Sequence, residues 1–183
     1  MREKLKILLL SSLFIDLSAG LFGPLYAVFV ERIGGDLLTA GAAYATFSIA
    51  AGVLIFILGK WEDSIKHQEK LLVIGRFLEI IGFIGYLLIQ TQIHLFIVQI
   101  IFGISTAVVT PAFDSLYSKN LTKGKFASQW GAWESMYAIV TGIAAITGGL
   151  IAQNYGFKTL FILMLIFSIV SFIVTLLLVK KRK

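Results

Sequence analysis

Six apolar stretches, each near the length of a bilayer, alternate with short polar intervals along the chain, at residues 5–30, 37–59, 71–90, 92–116, 126–152 and 157–179. About 20 apolar residues cross a hydrocarbon core as an α-helix, so each stretch predicts one transmembrane helix. Together they predict an all-α integral membrane protein, a single six-helix transmembrane bundle over residues 1–183 with no soluble domain. The only two prolines in the chain mark a symmetry. DLSAGLFGP (16–24) aligns without gaps on GISTAVVTP (103–111), which sets Ser18 over Ser105 and Pro24 over Pro111 at an offset of 87. The glycines of GVLIFILG (52–59) fall on those of GIAAITGG (142–149) at an offset of 90. Three helices therefore repeat once, over about residues 1–90 and 91–183. Because three is odd, the copies enter from opposite sides and form inverted repeats.

Polarity is uneven among these helices. At helical spacing the first presents Ser12, Asp16, Gly20, Gly23 and Ala27 on one stripe, and the fourth presents Gln99, Gly103, Thr106, Thr110 and Tyr117. The fifth carries Trp130, Glu134, Tyr137, Thr141, Ala145 and Gly148, and the second Tyr44, Ser48, Gly52 and Gly59. The sixth is nearly uniform Leu, Ile, Phe and Val, and the third is apolar beyond Arg76 and Glu79. Four helices are thus predicted to line a polar interior, with two outside them. Small residues such as Gly20, Gly103, Gly148 and Gly149 permit close helix packing, and Pro24 and Pro111 predict kinks. Packing does not account for the carboxylates.

Composition and charge fix the solvent and the orientation. With 58% hydrophobic residues, 14% charged residues and a mean hydropathy of +0.91, the chain cannot coat a water-soluble globule. Its net charge of +6 does not indicate a nucleic-acid partner, because the basic residues alternate by loop. Of the 16, 13 belong to one set of ends: Arg2, Lys4, Lys6, Lys60, Lys66, Lys70, Lys119, Lys123, Lys125, Lys180, Lys181, Arg182 and Lys183. By the positive-inside rule both termini are cytoplasmic, and the terminal KKRK reads as a topology anchor in the plasma (inner) membrane of a prokaryote. The absence of cysteine excludes thiolate chemistry, and His67 and His94 alone make no metal set. No phosphate loop, metalloprotease helix or serine-nucleophile elbow occurs, so neither an enzyme nor a cofactor is expected.

A central Asp costs about 2.5–3.5 kcal/mol to insert, against roughly 0.3–0.6 returned by each Leu, Ile, Phe or Val. The apolar neighbours can therefore carry Asp16 but do not explain it. A carboxyl group in a dry site tends to keep its proton and in a wet one releases it, so a site whose hydration alternates can carry protons. Asp16 is accordingly expected to couple protons, the alternative being a hydrogen bond to a neighbouring helix. Glu134 is the second candidate, with a helix-dipole or salt-bridge role as its alternative. Gln99, Thr106 and Thr141 complete the expected proton and substrate cavity; Tyr44, Trp130, Trp133 and Tyr137 would either stack there on an aromatic or cationic solute or serve packing and interfacial anchoring. Arg76 and Glu79, three apart on one helix, are expected to neutralise each other.

Four segments carry a family likeness. FIDLSAGLFGPLY (14–26), GKWEDSIK (59–66), QIIFG (99–103) and GGLIAQNYGFKTLF (148–161) resemble, in order, motifs of the major facilitator superfamily, in particular the amino-terminal half of a drug–proton antiporter. The likeness covers nearly all of this chain but half of the usual twelve-helix architecture. It implies a cytoplasmic gate at Gly59 and Asp63, and spans one, two, four and five around the cavity, in agreement with the polarity. Departures are Ser64 where an Arg or Lys is usual, Lys66 where a Gly is, Gln99 where an arginine is often found, and Ala144 and Ala145 where antiporters commonly have Gly-Pro.

The resemblance implies secondary active transport by alternating access, as proton-coupled antiport or efflux of a small organic solute. That fold needs two halves. A parallel homodimer in the lipid bilayer is the favoured expectation, the excised half of a twelve-helix transporter the other, with Asp63 latching against the start of the partner's fifth span. Alternatives from other classes are a non-transporting membrane scaffold or assembly partner and a small channel.

Overall fold

A computed structural model describes residues 3–180; Arg2, Lys181, Arg182 and Lys183 of the expected cytoplasmic anchors lie outside the described residues. The described chain is helical, with α1 (Glu3–Phe22), a 3-10 turn (Gly23–Leu25), α2 (Tyr26–Arg32), α3 (Leu37–Glu62), α4 (Gln68–Leu88), α5 (Gln92–Asn120) and α6 (Phe126–Lys180). Counting Glu3–Arg32 as one, five helices are long and apolar enough to cross a membrane. The chain is an all-α membrane protein.

The local chemistry explains where the helices break. Pro24 has no N–H to give, so the helix tightens into a 3-10 turn in which the Tyr26 N–H bonds to the Gly23 carbonyl. Pro111, by contrast, lies inside α5 without interrupting it; neighbouring helices let membrane helices tolerate such a residue. At the start of α3, Asp36 Oδ1 accepts from both the N–H and the hydroxyl of Thr39, each at 2.7 Å, which caps an otherwise unsatisfied end.

Helix α6 spans 55 residues, about 80 Å at the usual rise, far more than a bilayer core. Gly156 interrupts it with φ 79 and ψ 169, a backbone that glycine adopts without steric cost. The packing shows what this break does. Gly20 lies against Thr141 and Ala144, and Gly148 against Leu21, so residues 126–155 run parallel to α1. Ser18 Oγ donates to the Met164 carbonyl at 2.8 Å and Ser171 Oγ to that of Ser11 at 2.7 Å, so residues 157–180 run antiparallel to it. The chain reverses at Gly156.

Helix α1 packs on α6, α5 packs on α3 and α4, and α4 closes the ring against α6. An aromatic knot joins these layers: the Phe22 ring meets Tyr86 at 5.0 Å and Phe161 at 5.2 Å between centroids, both edge to face. Two faces stay uncovered, with Phe56 on α3 at 74% exposed and Ile146 on α6 at 72%.

Candidate functional site

The helices border an open cavity of about 360 Å³. Ile15, Ala19 and Phe22 of α1 form one wall, and Tyr44 and Phe47 of α3 another. Gln99, Phe102 and Thr106 of α5 complete it, together with Tyr26 and Met164. Helix α4 adds Glu79, Phe83 and Tyr86 at successive turns. The two helices expected to lie outside, the third and sixth, therefore reach the cavity through these side chains. The expectation treated small and polar residues as the mark of an inner face, whereas the inner face of α4 is marked by aromatic rings.

Three of the expected cavity residues, Tyr44, Gln99 and Thr106, are on the wall. Gln99 is buried, and its Nε2 donates to Tyr26 Oη at 2.5 Å, which fixes the amide. Asp16, expected in the cavity, is not among the wall residues, although Ile15 and Ala19 of the same helix are; its Oδ2 is shielded from solvent without a hydrogen-bond partner. Arg76 Nη1 donates to both oxygens of Glu79, at 2.9 and 3.0 Å, so the expected pairing forms, within a buried setting.

The remaining expected residues lie elsewhere. Thr141, beside Gly20, has a buried hydroxyl with no partner. Trp130 packs on Tyr117 at 4.7 Å between centroids, away from the cavity wall, and Tyr117 Oη donates to the Gln129 carbonyl. Glu134 and Tyr137 are exposed on the uncovered face of α6. At the expected gate Asp63 is exposed, its N–H donating to the Gly59 carbonyl at 3.2 Å. A Cβ on Gly20 would come within 2.9 Å of the Ala144 Cβ, and one on Gly103 within 2.9 Å of the Ala50 Cβ; on Gly148 it would strike the Leu21 carbonyl. Gly149 and Gly59 have no such neighbour.

Sequence reasoning overlooked Phe22, Tyr26, Phe83, Tyr86 and Phe102 as wall residues. Their signal was the aromatic spacing of Phe22, Tyr26 and Phe29, and of Phe83 and Tyr86, at helical intervals. Aromatic faces with a fixed amide and few polar groups suit a planar, largely apolar molecule.

The family model described as Major Facilitator Superfamily matches residues 8–183. The chain belongs to the major facilitator superfamily. Among curated relatives, it is 28% identical over 142 residues to the uncharacterized MFS-type transporter MJ1560 of Methanocaldococcus jannaschii, covering 78% of this chain and 36% of that protein. It is 22% identical over 157 residues to the multi-drug resistance efflux pump PmrA of Streptococcus pneumoniae, covering 84% and 39%. With the multidrug resistance protein MdtG of Klebsiella pneumoniae it shares 24% over 159 residues, covering 85% and 38%. This major facilitator chain thus spans less than two fifths of the length of these relatives.

Proposed function

We propose that the chain is one six-span half of a proton-coupled secondary transporter that moves a small organic solute outward by alternating access. Membership of the family supports transport, and the efflux named in one relative, PmrA, supports its direction. The observation that carries the coupling is Asp16: a carboxyl group within the first span with one oxygen shielded and unpartnered. Buried polar groups are nearly always satisfied, so an acceptor left open in a span is suited to take a proton or a water molecule. The aromatic wall supports an apolar or cationic solute. Solute uptake into inverted vesicles driven by a proton gradient tests the reading. Loss of that uptake in Asp16→Asn is expected, and wild-type uptake by the variant refutes the assignment.

The six spans are 3–32, 37–62, 68–88, 92–120 and the two stretches on either side of Gly156, with both termini cytoplasmic. The opposite directions of 126–155 and 157–180 along α1 support the count. An inverted repeat of three spans is supported by equivalent serine bonds from Ser18 and Ser105.

A second half is needed to close the cavity. The uncovered faces of α3 and α6, with Gly52, Gly142 and Gly149 open, and the greater length of the relatives support one. A parallel homodimer places the exposed Glu134 and Tyr137 toward the shared side and Gly59 and Asp63 at the cytoplasmic gate. The protein mass of the solubilised particle distinguishes the cases: two chains fit the homodimer, and one chain per particle in a transporting preparation excludes it.

A further inference from the structure

The polar groups of the cavity wall are few, and two of them are bonded to each other. Glu79 is the one charged residue among those lining the cavity, and Arg76 Nη1 already donates to both of its oxygens, at 2.9 and 3.0 Å. A carboxylate matched in this way has no charge left over for a cationic solute. Arg76 is buried and is not among the wall residues, so it offers nothing to an anionic one. The pair that remains is Gln99 of α5 and Tyr26 of α2, 73 positions apart in the chain, with Gln99 Nε2 donating to Tyr26 Oη at 2.5 Å. Gln99 is buried, and the Tyr26 ring stands edge to face against Phe22 at 5.7 Å between centroids, so both groups are held in place. Their bond uses one N–H of the amide and one lone pair of the phenol. It leaves Gln99 Oε1 as an acceptor and the Tyr26 O–H as a donor, and neither makes a further bond within the described residues. Because the oxygen and nitrogen of an amide share one carbon, the free acceptor lies next to the phenol that supplies the free donor.

We propose that Gln99 and Tyr26 form a polar clamp that selects uncharged, planar aromatic solutes carrying an N–H and a C=O side by side on one edge, that is, fused-ring lactams. The inference rests on the transport reading above and names the class of solute that its cavity takes. An open-chain secondary amide is trans and points its N–H and C=O apart, whereas a ring holds them cis. In the clamp the ring N–H donates to Gln99 Oε1, and the ring carbonyl accepts from the Tyr26 O–H. Phe22, Phe83 and Phe102 line the same cavity and supply aromatic surface for the fused rings. A solute of the same shape without the N–H leaves the Gln99 oxygen covered and unsatisfied, which costs more than the bond itself contributes.

Equilibrium dialysis against the full chain in lipid nanodiscs, with empty discs subtracted, tests this with three probes of nearly one shape. Phenanthridinone is a fused-ring lactam, N-methylphenanthridinone keeps the carbonyl but lacks the N–H, and N-methylphenanthridinium is a cation with neither group. Phenanthridinone is expected to bind about tenfold tighter than its N-methyl derivative, and tighter than the cation. Gln99→Met, close in shape but without the amide, is expected to remove the preference between the two lactams. Gln99→Leu is read in parallel should that variant not fold, and a ratio of affinities does not depend on the fraction of folded chain. Tyr26→Phe is expected to weaken both lactams, because both keep the carbonyl. Equal affinities of the two lactams for the wild type, or a preference that survives the Gln99 variants, overturns the proposal. Tightest binding of the cation, no binding of phenanthridinone, or lactam affinities unmoved by Tyr26→Phe overturns it as well. The expected selectivity in a chain that moves no solute leaves the clamp standing and removes the transport reading; proton-driven transport with no preference between the lactams does the reverse.

Discussion

Ser18 and Ser105 stand 87 positions apart and make the same bond: each hydroxyl donates at 2.8 Å to a backbone carbonyl of another helix, Met164 for Ser18 and Gly75 for Ser105. Both serines are fully buried. The two acceptors are separated along the chain by nearly the same interval as the two donors. A serine that reaches a neighbouring backbone lets two membrane helices approach closely and ties them at one height. Here it does so once between α1 and residues 157–180 and once between α5 and α4.

If these bonds are equivalents under one symmetry, they contribute alike. Ser18→Ala and Ser105→Ala are each expected to lower stability by about 0.5–1 kcal/mol, the range of interhelical hydrogen bonds in membranes. Reversible unfolding in mixed micelles measures both, and a clear inequality between them counts against equivalence.

The spans were legible because bilayer thickness imposes a length on every apolar run. The expected boundaries 37–59 and 92–116 fall within α3 and α5, which extend by about one turn into polar residues such as Glu62 and Asn120. Pro24 and Gly156 coincide with breaks, but Pro111 does not, because a proline's missing bond is local while its effect depends on the helices packed around it. The Arg76–Glu79 pair followed from spacing alone. The burial of Asp16 Oδ2 without a partner did not, since it depends on how α1 packs in the bundle. Nor did the aromatic wall, because Phe83 and Tyr86 read equally well as lipid-facing until α4 is seen against α5 and α6.

Asp36 gives a prediction outside the bilayer. Hydrogen bonds from Thr39, first from its hydroxyl and then from its N–H, hold the carboxyl below its usual value of 3.8. A group whose folded pKa is depressed contributes stability above its unfolded pKa and loses it as pH falls through the folded one. The stability advantage of wild type over Asp36→Ala is therefore expected to be full at neutral pH and to shrink as pH falls through 3.8 and below. Thermal unfolding of both proteins across that range checks the sign.

The buried ion pair predicts non-additivity. Arg76→Met leaves Glu79 without its partner, and breaking one side of such a pair costs about 3–5 kcal/mol. Arg76→Met with Glu79→Leu removes both charges and is expected to recover most of that loss. A double variant no more stable than Arg76→Met shows that the two residues contribute independently, against the geometry of the bonds from Nη1.

Neighbouring glycines on α6 separate packing within a half from packing between halves. A Cβ on Gly148 would strike the Leu21 carbonyl, backbone that cannot swing aside, so Gly148→Ala must push α1 away. A cost of about 1–3 kcal/mol is expected, as for other overpacked sites. Gly149, one residue on, has no neighbour within 4 Å. There Gly149→Ala removes a flexible residue from a helix and is expected to stabilise the single bundle by roughly 0.5–1 kcal/mol. If a second copy packs on this face, that methyl group instead holds the halves apart. The fraction of two-chain particles is then expected to fall in Gly149→Ala while the unfolding midpoint of the separated chains rises. An unchanged fraction of two-chain particles places the contact between halves away from the open face of α6.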